Sequence, residues 1–361
     1  MPCRHHIYEI ILRSVFDEKF GVTSGPNVPL FQRFRTAWPS IDTKNFKPGL
    51  YDIQVHEQLN SSTECVLTFC MNTLNKTHYR EDYRELLELT VIFLNGTPPR
   101  GISFRTPGPI HHARWMSKAL YYLKVFIFRQ EFNLNKREYQ SIIDTCIFIV
   151  RLYVKTWFNA PKAYFAPRQD LQFLRDLYEY RKVNEKISEV TLKKFVNHLW
   201  YLTSETVALA FFDDGISDDT KNKMAQALRN IENANINEDE NYESMKKRLK
   251  LKFSEVPNIL SKNIEEFISS ETQNFFKRFN INFSFIESPP NLWQNNLEYK
   301  KGYEIVSKLR VVNDTAERAV KLIEDFNRIG SKNEEQKQYT LQVVAQYRKN
   351  FSNSNKNTVM E

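Results

Sequence analysis

The chain has 361 residues, with 51 Lys and Arg against 43 Asp and Glu and a net charge of +8. That length exceeds one ordinary hydrophobic core, so one large domain or two linked ones are expected. With 41% hydrophobic residues, 27 Phe, 17 Tyr and 5 Trp there is enough apolar material for a packed interior, whereas only 9 Gly argue against a glycine-turned β-sandwich and against glycine-rich phosphate loops, and no Walker or dinucleotide-binding glycine pattern is present.

In chain order, Ile7, Ile10, Ile11, Ser14 and Val15 recur at helical spacing almost from the first residue, so this helix reads as the continuation of something longer. Gly21 to Pro48 is rich in Pro, Gly and Trp and reads as an irregular loop carrying Leu30, Phe31 and Phe34. The apolar run 63–70 fits a strand or a helix. Tyr83–Phe93 is apolar at helical period and stops at Asn95-Gly96-Thr97-Pro98-Pro99. Ile102-Ser103-Phe104 reads as a short extended segment, and His111-His112-Ala113-Arg114-Trp115 opens a helix running to about Arg129. Helices are then expected over about 136–158, 169–182, 189–211, 218–232, 240–252 and 257–280, and after Pro289-Pro290 over about 302–311, 315–328 and 333–350. The Asn- and Ser-rich tail from Ser352 reads as frayed.

Charge is unevenly spread. Residues 101–200 hold 17 Lys and Arg against 8 Asp and Glu, an excess larger than that of the whole chain. Such a basic segment is the footprint expected of a polyanion-binding surface, or of solvated helix faces. Arg114 beside Trp115 suits a phosphate contact plus stacking on an unpaired base, and equally a core-anchoring Trp. Cysteines 3, 65, 70 and 146 make neither a Cys-x-x-Cys motif nor a disulfide framework, and no secretory leader or membrane-length apolar run is visible. The chain therefore reads as intracellular and reduced, nuclear or cytoplasmic. Cys3 and His6 would supply only two of the four ligands of a structural zinc site. Asp213, Asp214, Asp218 and Asp219 lack the spacing of a calcium loop, and the last two suit the first turn of a helix.

Near the C-terminus, Ala316, Ala319, Val320, Ile323 and Phe326 mark one apolar helix face, and Asp314 with Glu317 has capping-box spacing. On this reading alone Glu317 is a cap.

Several blocks occur in an order similar to that of hAT-like and related cut-and-paste DNA transposases. Cys3-Arg4-His5-His6-Ile7-Tyr8 resembles their Cys-x-x-His helix start, and Ala113-Arg114-Trp115-Met116-Ser117 is similar to their Thr-Arg-Trp-Asn-Ser element. A long basic helical stretch follows, and Asn313-Asp314-Thr315-Ala316-Glu317-Arg318 resembles the block carrying the last catalytic carboxylate. The resemblance implies an RNase H-like core interrupted by a helical insertion, with two divalent ions held by Asp, Asp and Glu for in-line attack on phosphate. Glu317 matches the Glu, Trp115 the Trp, and Cys3 and His6 the Cys-x-x-His. Both catalytic Asp belong upstream of Cys3, where this chain has none, and one carboxylate does not hold two Mg2+ ions. Glu317 is then a catalytic carboxylate by descent that serves as a helix-start residue.

The expected fold is mostly α, a large helical bundle of insertion type attached to a truncated RNase H-like α/β core. Residues 1–110 would form the partial core, 111–288 the basic helical insertion, 289–351 the C-terminal core helices carrying Glu317, and 352–361 a disordered tail. The expected function is a transposase-derived, catalytically inactive DNA-binding protein, with Arg114, Trp115, Lys118, Lys124, Arg129, Lys136 and Arg137 on the nucleic acid. No cofactor is expected, Mg2+ entering only with a complete catalytic core. DNA is the expected partner, self-association into a homo-oligomer is compatible with it, and no membrane is involved. The alternative is a helical protein-interaction scaffold with no nucleic-acid role.

Overall fold

Most of the apolar-periodic segments fold as helices where the structure describes them. The computed structural model describes residues 1–21, 28–76, 80–108, 116–234 and 248–312, with single positions beyond 335. The chain divides into two compact units, Met1–Val312 and Asn313–Glu361.

Helix α1 (Arg4–Phe20) buries Ile7, Tyr8, Ile11, Leu12, Val15 and Phe16, the stripe its 3.6-residue period sets up. Pro29 occupies the first turn of α2 (Pro29–Ala37), where its missing N–H is no loss. Asp52 caps α3 (Ile53–Leu74) by accepting from the Val55 N–H at 3.1 Å. Helix α4 (Glu81–Phe93) starts with Glu81 and Asp82 in its first turn. It stops at Asn95, whose φ of 60° is left-handed, while the Gly96 N–H returns to the Val91 carbonyl at 2.8 Å.

Helix α5 (Met116–Ile127) follows, then α6 (Lys136–Phe148) behind a reciprocal cap in which Asn135 and Glu138 bond each other's N–H. A π-turn at Ile149–Tyr153 carries α6 into α7 (Val154–Asn159). Helices α8 (Ala166–Glu179), α9 (Glu185–Phe195) and α10 (Asp218–Ala234) come next, then the short α11 (Val256–Leu260), α12 (Thr272–Arg278) and α13 (Leu297–Ser307). Asp218 and Asp219 lie in the first turn of α10, as their spacing suggests.

The core explains the layering. Every residue of α4 from Leu86 to Phe93 is buried, as is nearly every residue of α5 and of 141–154. Helices apolar on all sides sit inside a bundle, and α4 lies between α3 and α5, with α6 beyond. Helix α1 packs along α9 and against α6. No described helix is long and apolar enough to cross a membrane.

The mostly helical fold is as expected, but an RNase H-like core is not supported. Among the described residues there is no strand, only one isolated antiparallel bridge between Lys162 and Arg310. The run 63–70, open between strand and helix, lies within α3, and 29–37 is a helix instead of loop.

Three expected helices break. Helix α9 ends near Phe195, and Leu199 leaves helical geometry with ψ at 65°. The Thr203 and Thr206 hydroxyls then bond each other at 2.8 Å and Thr206 Oγ1 donates to the Trp200 carbonyl at 3.0 Å, a local alternative to helical bonding. Over 257–280 the chain forms α11, a 3-10 turn and α12, because Thr272 donates to the Ser204 carbonyl at 2.7 Å and Asn263 with Glu266 starts a separate turn. Of 240–252, the part described, 248–252, is not helical. Glu317 and the helix expected over 315–328 fall outside the described residues, and of 333–350 only single positions are described, those being helical.

Candidate nucleic-acid interface

The residues expected to touch phosphate separate into three groups. Arg114 and Trp115 lie outside the described residues. Lys118 and Lys124 are buried, and half-buried Arg129 spends its guanidinium on backbone carbonyls, which goes against their assignment as backbone-phosphate contacts. Lys118 is 7% exposed, with Nζ 4.2 Å from the Phe16 ring centroid, and burial lowers its pKa to about 8 despite the nearby Asp17. Lys124 is 3% exposed; its Nζ lies 2.6 Å from Glu85 Oε1 and donates to the Arg105 carbonyl at 2.8 Å. Arg129 donates to the carbonyls of Lys47 (2.9 Å), Pro48 (3.0 Å) and Phe126 (2.8 Å), tying the loop before α3 to the end of α5. The physical reason is common to the first two: α5 is buried on all sides, so its lysines have no solvent face to present. Lys136 and Arg137, in the first turn of α6, remain exposed.

Cys3 is half-buried at the start of α1 without a side-chain cap, and His6 is exposed. No group of three His, Cys, Asp or Glu among the described residues could hold a metal ion. Asp213, fully buried, accepts twice from Arg168 (2.6 and 3.0 Å) and once from the Gly215 N–H (2.7 Å). It is a turn brace, with both carboxylate oxygens already engaged. The residues around Cys3 are structural in the same way. His5 stacks on Trp157 at 3.9 Å between ring centroids, and Arg4 is wrapped by Asp170, Tyr8, Gln169 and the Ala160 carbonyl. A cleft of about 610 Å3 between α12 and α13 is floored by Phe276, Ile281 and Ile305, and none of the residues singled out from the sequence lines it.

One surface feature does gather exposed cations. Residues 248–252, Arg-Leu-Lys-Leu-Lys, alternate strictly: Arg248, Lys250 and Lys252 are exposed, while Leu249 and Leu251 are partly buried against the core. Burial at period two is the signature of extended backbone, whose side chains point alternately to opposite faces. The Leu249 N–H bonds the Leu199 carbonyl at 3.0 Å, and Arg248 Nη1 donates to the Asn197 carbonyl at 2.7 Å. Both anchors lie just past the end of α9, whose last turn carries exposed Lys193 and Lys194. Phe253 follows, 41% exposed, with Lys193 Nζ 5.5 Å from its ring centroid. Two carboxylates belong to the same neighbourhood: Glu189 pairs with Lys193, and Glu255 accepts from the Lys252 N–H at 2.8 Å. Five cations against two carboxylates leave the strip positive.

Sequence periodicity assigned 240–252 to a helix and so missed this strip. The signal that finds it is the two-residue alternation of cation and leucine in the last five positions. No family model, curated protein or solved structure matches the chain.

Proposed function

We propose that this is a nucleic-acid-binding helical protein of transposase descent, which meets its polyanion at the strip formed by Lys193, Lys194, Arg248, Lys250 and Lys252. The observation that carries the binding is the strip's alternation: leucines fixed on the core hold three cations facing solvent beside two more on α9. Lysine and arginine held in a row beside backbone phosphates release condensed counterions, which supplies affinity without reading sequence. Support for the descent comes from the order of the Cys3–His6, Arg114–Trp115 and Asn313–Glu317 blocks. A nuclear location goes with the proposal. It concerns binding and assigns no strand-transfer step to these residues.

The test is fluorescence anisotropy with a labelled oligonucleotide at low salt. Binding that weakens in the variant Lys194→Ser/Lys250→Ser/Lys252→Ser supports the proposal. No affinity at low salt contradicts it.

A specific observation favours a second reading, the helical interaction scaffold. Lys118, Lys124 and Arg129 hold the bundle together instead of facing a partner. Under that reading the variant would bind nucleic acid no differently from the parent chain.

A further inference from the structure

Phe253 distinguishes this strip from a plain row of charges. A ring left 41% exposed forfeits part of the gain available from burying it, and single exposed apolar side chains are common on protein surfaces. This one has two further properties. It directly follows the three alternating cations, at the end of a segment fixed by the Leu249–Leu199 and Arg248–Asn197 bonds. It also has Lys193 Nζ 5.5 Å from its centroid, so one ring carries an adjacent cation while its exposed part stays open to solvent.

A duplex can use that ring only by unstacking a base step, which costs free energy. Its bases are paired and stacked on one another, and only their edges reach the grooves. An unpaired strand offers each base's π-face, which stacks on an aromatic side chain whatever the base, while the flanking phosphates lie on cations. An aromatic ring beside a row of Lys and Arg is the combination that single-strand binders use.

Resting on the nucleic-acid reading above, we infer that the strip takes single-stranded nucleic acid in preference to duplex, with Phe253 stacking an unpaired base and the five cations Lys193, Lys194, Arg248, Lys250 and Lys252 holding the phosphates on either side. Glu189 and Glu255 keep the strip from being uniformly positive, so stacking is the contribution that sets strand preference.

The experiment measures four probes on the full chain at one low salt concentration: labelled oligothymidine of roughly twelve nucleotides, oligouridine of the same length, a mixed-sequence duplex of that length, and a heparin oligosaccharide as a polyanion without bases. Both single strands are expected to bind more tightly than the duplex. Phe253→Ala is expected to weaken the two single strands on the order of tenfold, leave heparin unchanged, and be rescued by Phe253→Trp. Phe253 is exposed, so its replacement leaves the fold intact, which circular dichroism checks. Duplex binding as tight as single strand, or a Phe253→Ala loss equal for heparin and oligothymidine, overturns this inference while leaving the nucleic-acid reading standing. Absence of binding to any nucleic-acid probe overturns both.

Discussion

Arg4 and Asp170, 166 positions apart in sequence, share a salt bridge of 2.9 Å in which each side chain is only 1% exposed. Arg4 Nη2 also donates to Tyr8 Oη at 2.6 Å, and Nη1 donates to Gln169 Oε1 at 2.8 Å and to the Ala160 carbonyl at 3.1 Å. The Arg4 N–H itself bonds the Val311 carbonyl at 2.7 Å. The first turn of α1 is thus tied to α8, to the end of α7 and to the segment after α13. Burial pushes the Asp170 carboxyl above the usual carboxylate range, with Arg4 and Tyr8 pulling the other way.

A buried pair of this kind is costly to half-remove, because the surviving charge is left without its counter-charge in a low-dielectric interior. Asp170→Leu is expected to destabilise the fold by about 3–5 kcal/mol. The double variant Arg4→Met/Asp170→Leu should recover most of that loss, since no buried charge remains. Urea unfolding midpoints of the single and double variants check this; a single-variant loss below about 1 kcal/mol would rule out the pair as a tie of this strength.

Lys118 gives a pH dependence of defined sign. Its folded pKa is about 8 and its ordinary value is 10.5, so between these two the unfolded chain holds a proton that the folded chain has released. Stability from this site therefore rises as pH increases through that window, and is absent below about 8. Measured against Lys118→Met, which removes the site, the parent chain should gain roughly 2–3 kcal/mol between neutral pH and the top of the window. A pH-independent difference between the two chains would show that Lys118 is not desolvated as described.

Gly49 lies against the ring of Phe93, which is fully buried. A Cβ added there would stand 2.4 Å from two ring carbons, well inside contact distance, so the buried ring would have to shift within a close-packed interior. Gly49→Ala should cost about 1–3 kcal/mol through overpacking, and Phe93→Leu in the same chain should relieve part of it. Thermal melts of the three variants decide; a neutral Gly49→Ala would mean that the loop before α3 moves aside freely.

Some of this was legible in the sequence and some was not, for identifiable reasons. Helix α4 could be read because Asn95-Gly96 marks its stop and its apolar period is unbroken. Helix α6 could be read through its continuation into α7, since a π-turn preserves helical period within a residue. Lys118 and Lys124 were misread because a charge count cannot see that α5 is enclosed on every side, with Glu85 and the Phe16 ring supplied by distant elements. The break after α9 depends on the hydroxyls of Thr203 and Thr206 competing with the helical ladder, a choice that tertiary packing settles. The strip at 248–252 was hidden because leucines two apart within a window already read as helical did not outweigh that reading. The sheet implied by the transposase resemblance has no counterpart among the described residues.

The measurement that bears most directly on the central claim is the salt dependence of binding. Log affinity for oligothymidine against log salt should fall linearly for the parent chain, with a slope of about −0.7 for each phosphate neutralised. In Lys194→Ser/Lys250→Ser/Lys252→Ser the slope should shrink by about 2, since three such contacts are removed. An unchanged slope in that variant, at equal folded content, would contradict the assignment of the strip as the nucleic-acid interface.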